Sequence, residues 1–117
     1  VASSISHDSH NIVVIGDNTS DMRVALEALM AEGGGISVVE GGRVYKTLPL
    51  PIMGLMSEWE GDRVDAELHD MLQKAYSMGV NKNLDPFVTL SFLALPVIPE
   101  LRLCSRGVYD VVNGKFI

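Results

Sequence analysis

The sequence is poor in cysteine, in basic residues and in long apolar runs. It has 117 residues with one cysteine, nine Lys+Arg against fifteen Asp+Glu, and a formal net charge of −6. A single cysteine excludes an internal disulfide, which fits a reducing compartment, and we expect a cytoplasmic protein. The excess of negative charge argues against nucleic-acid partners and anionic membranes, because like charges repel. No stretch reaches the roughly 18 continuous apolar residues of a membrane span.

The composition is that of one folded domain. Hydrophobic residues make up 47% of the chain and charged residues 21%, which is ordinary globular usage. A chain of this length has room for one domain, so we assign residues 1–117 to a single unit. The chain opens on Val1 rather than Met, and we expect it to be a fragment of a longer polypeptide.

Hydrophobic periodicity predicts two amphipathic helices. Apolar residues recur at helical spacing over residues 22–30 and again over residues 64–75. Side-chain oxygens in residues 17–20 can cap the start of the first helix, and three consecutive glycines at 33–35 end it.

Short apolar and β-branched runs predict the strands. The first of them is apolar enough to be buried on both faces of a sheet. Two others are joined by Gly41-Gly42, which is typical of a β-hairpin. The predicted strands are residues 11–16, 36–40, 43–48, 108–112 and 115–117. This order of elements predicts an α+β fold, in which a mixed β-sheet carries both amphipathic helices on one face.

Two apolar segments, residues 48–57 and 87–103, are interrupted by proline and are too irregular for a predicted helix or central strand. A domain of this size rarely needs two such segments for its own core. Exposed apolar patches commonly mark contact surfaces. We therefore expect at least one of these segments to dock onto another domain or subunit.

Titratable groups are concentrated in the opening segment, residues 3–11. If the segment is extended, Asp8 and His10 share one side, where the carboxylate can orient the imidazole, and His7 and Asn11 share the other. If it forms a helical turn, His7 and His10 share a face and can reach one metal ion. A third interpretation is a solvated lead-in strand whose side chains satisfy only local backbone groups.

The lone cysteine, Cys104, lies between Arg102 and Arg106 in the sequence. Neighbouring positive charge favours a thiolate. The sequence marks no general-base partner for it, and we interpret Cys104 as a structural cysteine.

Five segments follow one another in a characteristic order: residues 6–14 (SHDSHNIVV), 33–35 (GGG), 48–57 (LPLPIMGLMS), 85–87 (DPF) and 89–101 (TLSFLALPVIPEL). Together they resemble the C-terminal domain of bacterial adenine deaminase, a branch of the amidohydrolase superfamily. The likeness covers nearly the whole chain. It departs from the family pattern at Met53, where Ala is frequent, and at Cys104-Ser105, where Thr-Asp is frequent.

The resemblance implies a parent enzyme that hydrolyses adenine to hypoxanthine and ammonia in purine salvage. Such enzymes are similar in using a (β/α)8 barrel that binds a divalent metal, often manganese or iron, which lowers the pKa of bound water. The H-x-H metal motif of the barrel is absent from residues 1–117, where His7 and His10 have H-x-x-H spacing. We therefore expect this chain to hold no metal and no catalytic residue, and to be inactive alone.

The resemblance also implies partners for the domain. They are its own N-terminal metal-binding barrel, adenine as the substrate of the whole enzyme, and further copies in a homo-oligomer. We expect His7, Asp8, His10 and Asn11 to approach the mouth of the barrel and to bind adenine there or shape the pocket. The alternatives are a purely structural domain that supports oligomerisation and a stand-alone small-molecule-binding module.

Overall fold

The computed structural model describes residues 1–7 and 10–117, which form seven strands and three helices. In chain order the elements are β1 (Ala2–Ser3), β2 (Val13–Val14), α1 (Thr19–Glu32), β3 (Gly35–Glu40), β4 (Arg43–Pro49), α2 (Gly61–Ser77), α3 (Pro86–Ser91), β5 (Leu101–Cys104), β6 (Gly107–Asp110) and β7 (Lys115–Phe116). None of the helices in this described part of the chain is both long and apolar enough to span a lipid bilayer.

The strands form a main sheet with the order β2-β1-β3-β4 and a small sheet with the order β5-β6-β7. The predicted α+β class is confirmed. The sheet arrangement differs from the expected single mixed sheet, because every neighbouring pair of described strands is antiparallel. Parallel pairing needs a long crossover connection, whereas β3–β4 and β5–β6 are joined by short turns.

The two long helices pack on opposite sides of β3 and not on one face as expected. Ile36 clusters with Met71 of α2, whereas Val39 clusters with Leu29 of α1. Even and odd residues of a strand point to opposite faces, so β3 receives one helix on each side. A strand buried on both faces is apolar along its length, and residues 35–39 are all buried.

The strand predicted at residues 11–16 is reduced to the two residues of β2, which lies at the edge of the main sheet. Its neighbours Ile12 and Ile15 are 37% and 53% exposed. The inner position, between β2 and β3, is occupied by β1. The sequence does not predict β1, because a strand of two residues shows no periodicity. The predicted double burial therefore applies to β3, not to residues 11–16.

Three serines of the opening segment, Ser3, Ser4 and Ser6, lie in the interior, so a solvated lead-in strand is the wrong description of this part of it. Ser4 Oγ accepts from the Gly35 N–H at 2.8 Å and donates to the Gly54 carbonyl at 2.6 Å. The hydroxyl of Ser4, which directly follows β1, thus links that strand to the start of β3 and to the apolar segment of residues 48–57. Both partners are distant from Ser4 in the sequence.

Helix α1 begins and ends where the sequence predicts. Asn18 is the N-cap, and its side chain accepts from the Asp21 N–H at 2.8 Å. Gly33, with a left-handed φ of 75°, forms the C-cap. Both ends are thus determined by short-range hydrogen bonding.

The Asp21 carboxylate connects α1 to the turn of the β3–β4 hairpin. It accepts from the Gly42 N–H at 2.7 Å and from the Gly41 N–H at 2.9 Å. These bonds, with that of Gly42 the strongest, lower the pKa of Asp21 below its ordinary value of 3.8, because they stabilise the ionised form.

We expect the Asp21→Asn variant to be less stable than the wild type at neutral pH. The Gly41 and Gly42 N–H groups donate to different carboxylate oxygens, and asparagine has an NH2 donor in place of one of them. The folded-state pKa of Asp21 is depressed, so its contribution is present above 3.8 and is lost as the pH falls through the folded value. The gap in unfolding free energy should shrink between about pH 5 and pH 3, as measured by urea titration. The Asp17→Asn variant is the control, and a gap that persists unchanged at acid pH would contradict this role.

The segment predicted to be irregular, residues 87–103, contains most of α3 and most of β5. Asp85 caps α3 by accepting from the Phe87 N–H at 2.8 Å and the Val88 N–H at 3.1 Å, and Pro86 occupies the first turn. Phe87 is buried in the α2-side core. The prolines exclude regular structure only in the middle of this segment, which leaves its two ends free to form elements.

Candidate functional site

A cavity of 850 Å³ lies where the opening segment meets the chain that follows α3 and the turn between β5 and β6. Its volume is within the range of about 300–1,000 Å³ found for small-molecule sites. The polar groups on its wall are those of His7, Asn11, Cys104 and Ser105. The apolar part of the wall includes Ile12, Val14, Leu93, Ala94, Pro96 and Leu103.

The end of α3 holds His7 at this cavity. The His7 N–H donates to the Ser91 carbonyl at 2.6 Å. The imidazole ring stacks on Phe92, with ring centroids 5.5 Å apart and an interplanar angle of 24°. The backbone and the side chain of His7 are thus positioned by two consecutive residues, Ser91 at the end of α3 and Phe92 directly after it.

A backbone turn brings Asn11 to the same cavity as His7. The His10 N–H donates to the Ser6 carbonyl at 3.1 Å, so the opening segment is not extended throughout. His7 and Asn11 are four positions apart in the sequence, and both line the cavity. The first of the alternatives drawn from the sequence also placed them on one side, but it assumed an extended segment, which the bond between His10 and Ser6 contradicts.

The structure separates His10 from His7. His10 is exposed, has a left-handed φ of 50°, and is not among the residues that line the cavity. A face shared by the two histidines, as a helical turn would give, is therefore not what forms. Asp8 lies outside the described residues, as does its predicted pairing with His10, and its role stays a prediction.

The donor groups of the described residues do not fit the divalent metal that the family resemblance implies. Among residues 1–7 and 10–117, no three His, Cys, Asp or Glu side chains come together in a way that could hold a metal ion. Cys104 is a free, half-buried thiol on the cavity wall and offers one soft ligand, whereas manganese and magnesium prefer oxygen. We derive no chemical step through a metal on this chain.

Two site residues escaped the sequence analysis. Ser91 and Phe92, which position His7, lie in residues 87–103, one of the two apolar segments of which at least one is expected to dock. The Asp85-Pro86 pair was the available signal, because an Asp N-cap followed by proline starts a helix. A short helix starting there ends near Phe92 and brings an aromatic ring to its C-terminus.

The arrangement is suited to binding a flat heteroaromatic ring. A neutral imidazole offers one donor and one acceptor, and the Asn11 amide offers both kinds of group. The apolar wall can cover the faces of the ring while these polar groups meet its edge. The cavity can thus contribute the recognition of such a ring.

Comparisons with known proteins relate this chain to one family. The family model described as "Adenine deaminase C-terminal domain" matches residues 1–115. An adenine deaminase of Desulfitobacterium hafniense is 50% identical over 117 residues, which cover 100% of this chain and 21% of the relative. One from Nitratidesulfovibrio vulgaris (Hildenborough) is 51% identical over 117 residues, which cover 99% of this chain and 20% of the relative. One from Clostridium acetobutylicum is 47% identical over 118 residues, with 100% and 21% covered. The chain spans about a fifth of the length of these curated relatives.

Proposed function

We propose, because this chain belongs to the family of adenine deaminase C-terminal domains, that it acts as the C-terminal part of a longer adenine deaminase. The whole enzyme hydrolyses adenine to hypoxanthine and ammonia, as a cytoplasmic, homo-oligomeric enzyme of purine salvage. Its divalent metal, manganese or iron, is held by an N-terminal barrel that belongs to the remaining four fifths of such an enzyme. This chain alone is inactive.

Within that enzyme, the domain contributes a wall of the substrate pocket. The observation that carries this role is the 850 Å³ cavity, at which the His7 ring is fixed against Phe92 and the Asn11 amide lies on the same wall. We assign His7 and Asn11 to the edge of the purine, with Asp8 as a further candidate. His10 is exposed and does not line the cavity, so we assign it no substrate contact.

The barrel and this domain have different roles in the reaction, because they supply different chemical groups. A metal held by the barrel would supply an activated water as the nucleophile for the carbon that bears the amine. His7 and Asn11 orient the purine by hydrogen bonds to its nitrogens, since each can donate and accept. The apolar wall excludes bulk water from the reacting face, which strengthens the polar interactions that remain.

A chimera tests this proposal. The last fifth of the D. hafniense enzyme is replaced with this chain, and a second protein lacks that fifth altogether. We expect the chimera to convert adenine, and the truncated protein to show a kcat/KM lower by roughly 100-fold or more, since misplacing a substrate by about 1 Å has an effect of that size. Ammonia release and metal content are measured on both proteins. A truncated, metal-loaded, soluble protein with the parent's activity would contradict the proposed role.

A purely architectural role is the second candidate, and the apolar surface of the small sheet favours it. Leu101 and Leu103 of β5 are each 50% exposed. Such a surface is suited to contact with another part of the enzyme. The two roles are compatible, and activity measurements on His7 variants separate them.

A further inference from the structure

The small sheet carries an apolar face that nothing in the described chain covers. Leu101 and Leu103 point to the same side of β5, and Leu103 lies opposite Val108 of β6. The ladder continues to the C-terminus, where the Ile117 N–H donates to the Val108 carbonyl at 3.0 Å. These four side chains, here called the small-sheet face, are 50%, 50%, 38% and 77% exposed in chain order. They share their side of the sheet with Asp110, which pairs with Leu101, and with Lys115, which pairs with Asp110.

On the opposite face of the same sheet, two aromatic rings and an arginine side chain pack against one another. The rings of Tyr109 and Phe116 meet edge to face with centroids 5.0 Å apart. The Arg106 guanidinium lies 4.9 Å from the centre of the Phe116 ring. The small-sheet face lacks a comparable set of packed rings, so it is the side of the sheet that is suited to burial against a partner.

The small sheet is attached to the rest of the domain mainly at one edge. The Leu103 N–H of β5 donates to the Leu93 carbonyl at 3.0 Å, and contacts between its strands and the main sheet are sparse. Three short strands gain independent stability by burying an apolar face. Exposed apolar side chains on such a sheet therefore indicate a surface that is covered in the complete protein.

The part of the same polypeptide that precedes this domain is the partner best supported for the small-sheet face. About four fifths of the length of the curated relatives lies outside this chain, and a covalently linked partner has a high effective concentration. A second copy of this domain is the alternative occupant, and the crosslinking experiment below distinguishes the two. Leu103 lies both on the small-sheet face and on the cavity wall, so whatever covers the face also borders the cavity.

We infer that the small-sheet face docks onto the part of the enzyme chain that precedes this domain, and that this contact closes the cavity on the side of Leu103. The inference rests on the proposed function, in that it requires a longer enzyme. It adds which surface of the domain makes the contact.

Cysteine labelling in the D. hafniense chimera tests the docking. Leu101→Cys and Ile117→Cys report on the small-sheet face. Met30→Cys on α1 and Val88→Cys on α3 are matched controls, because these side chains are 65% and 56% exposed. We expect maleimide to label the two face variants roughly tenfold or more slowly than the controls in the native chimera, and at equal rates in guanidinium. Labelling is quantified peptide by peptide by mass spectrometry.

A photo-crosslinker on the Ile117→Cys variant then identifies the partner. Crosslinks to peptides that precede this domain, within one molecule, support the inference. Equal labelling of face and control variants overturns it, and so do crosslinks confined to the C-terminal domain of an isotopically distinct second copy. Both readouts are scored independently of turnover. A protected face in a chimera that does not deaminate adenine therefore counts against the proposed function alone, and an open face in an active chimera counts against the docking alone.

Discussion

Replacing Gly35 with alanine should destabilise this domain by about 3 kcal/mol or more, because the new methyl group has no room and the backbone is strained. A Cβ at this position would lie 2.2 Å from the Leu48 carbonyl oxygen and 3.3 Å from the Pro49 Cα. Gly35 has a φ of 151°, which L-residues with side chains rarely adopt. Gly35 also pairs with Pro49 in the β3–β4 ladder, so neither strand can move aside without breaking the sheet.

The melting temperature of the Gly35→Ala variant should fall by roughly 10 °C or more, measured by circular dichroism. Gly61→Ala is the matched control, because the same methyl group there meets no atom within 4 Å and Gly61 is the first residue of α2. We expect that variant to be unchanged or stabilised by up to about 1 kcal/mol. Equal melting temperatures for the two variants would show that the contact between Gly35 and Leu48 does not constrain the fold.

In the active chimera, we expect His7→Asn to lower kcat/KM by about fivefold or more and His10→Asn to change it less than about twofold. A lost hydrogen bond contributes about 1 kcal/mol, and a factor of ten corresponds to about 1.4 kcal/mol. The two histidines are three residues apart. Only His7 lines the cavity and stacks on Phe92, whereas His10 is exposed. Asparagine suits both positions as a replacement because it tolerates the left-handed conformation of residue 10.

Metal content and melting temperature are measured on both histidine variants. A drop in activity for His7→Asn with both properties unchanged supports a substrate contact. Equal losses for the two variants, or no loss for either, would contradict the assignment of His7 to the purine and leave architecture as the function of the domain. The Asn11→Ala variant, from the same cavity wall, should behave like His7→Asn and not like His10→Asn.

The sequence alone was sufficient for the elements whose causes are local. The apolar stripe and caps of α1 predicted a helix that the structure has as Thr19–Glu32. The Gly41-Gly42 link predicted the β3–β4 hairpin, which the pairing of Glu40 with Arg43 confirms. The ordered motifs identified the family, which the match over residues 1–115 confirms. Each of these conclusions depends on residues that are close in sequence or on an ordered pattern of residue types.

Only the tertiary structure decided which residues meet. Ser4 lies 31 residues from Gly35 and 50 from Gly54, yet its hydroxyl bonds to both, and no periodicity of the opening segment contains that information. The placement of α1 and α2 on opposite faces of β3 likewise depends on long-range packing of Leu29 and Met71. The separation of His7 from His10 depends on the end of α3, more than 80 residues further along the chain. Residue types determined the local elements and the family, whereas contacts between distant segments determined the core and the shape of the candidate site.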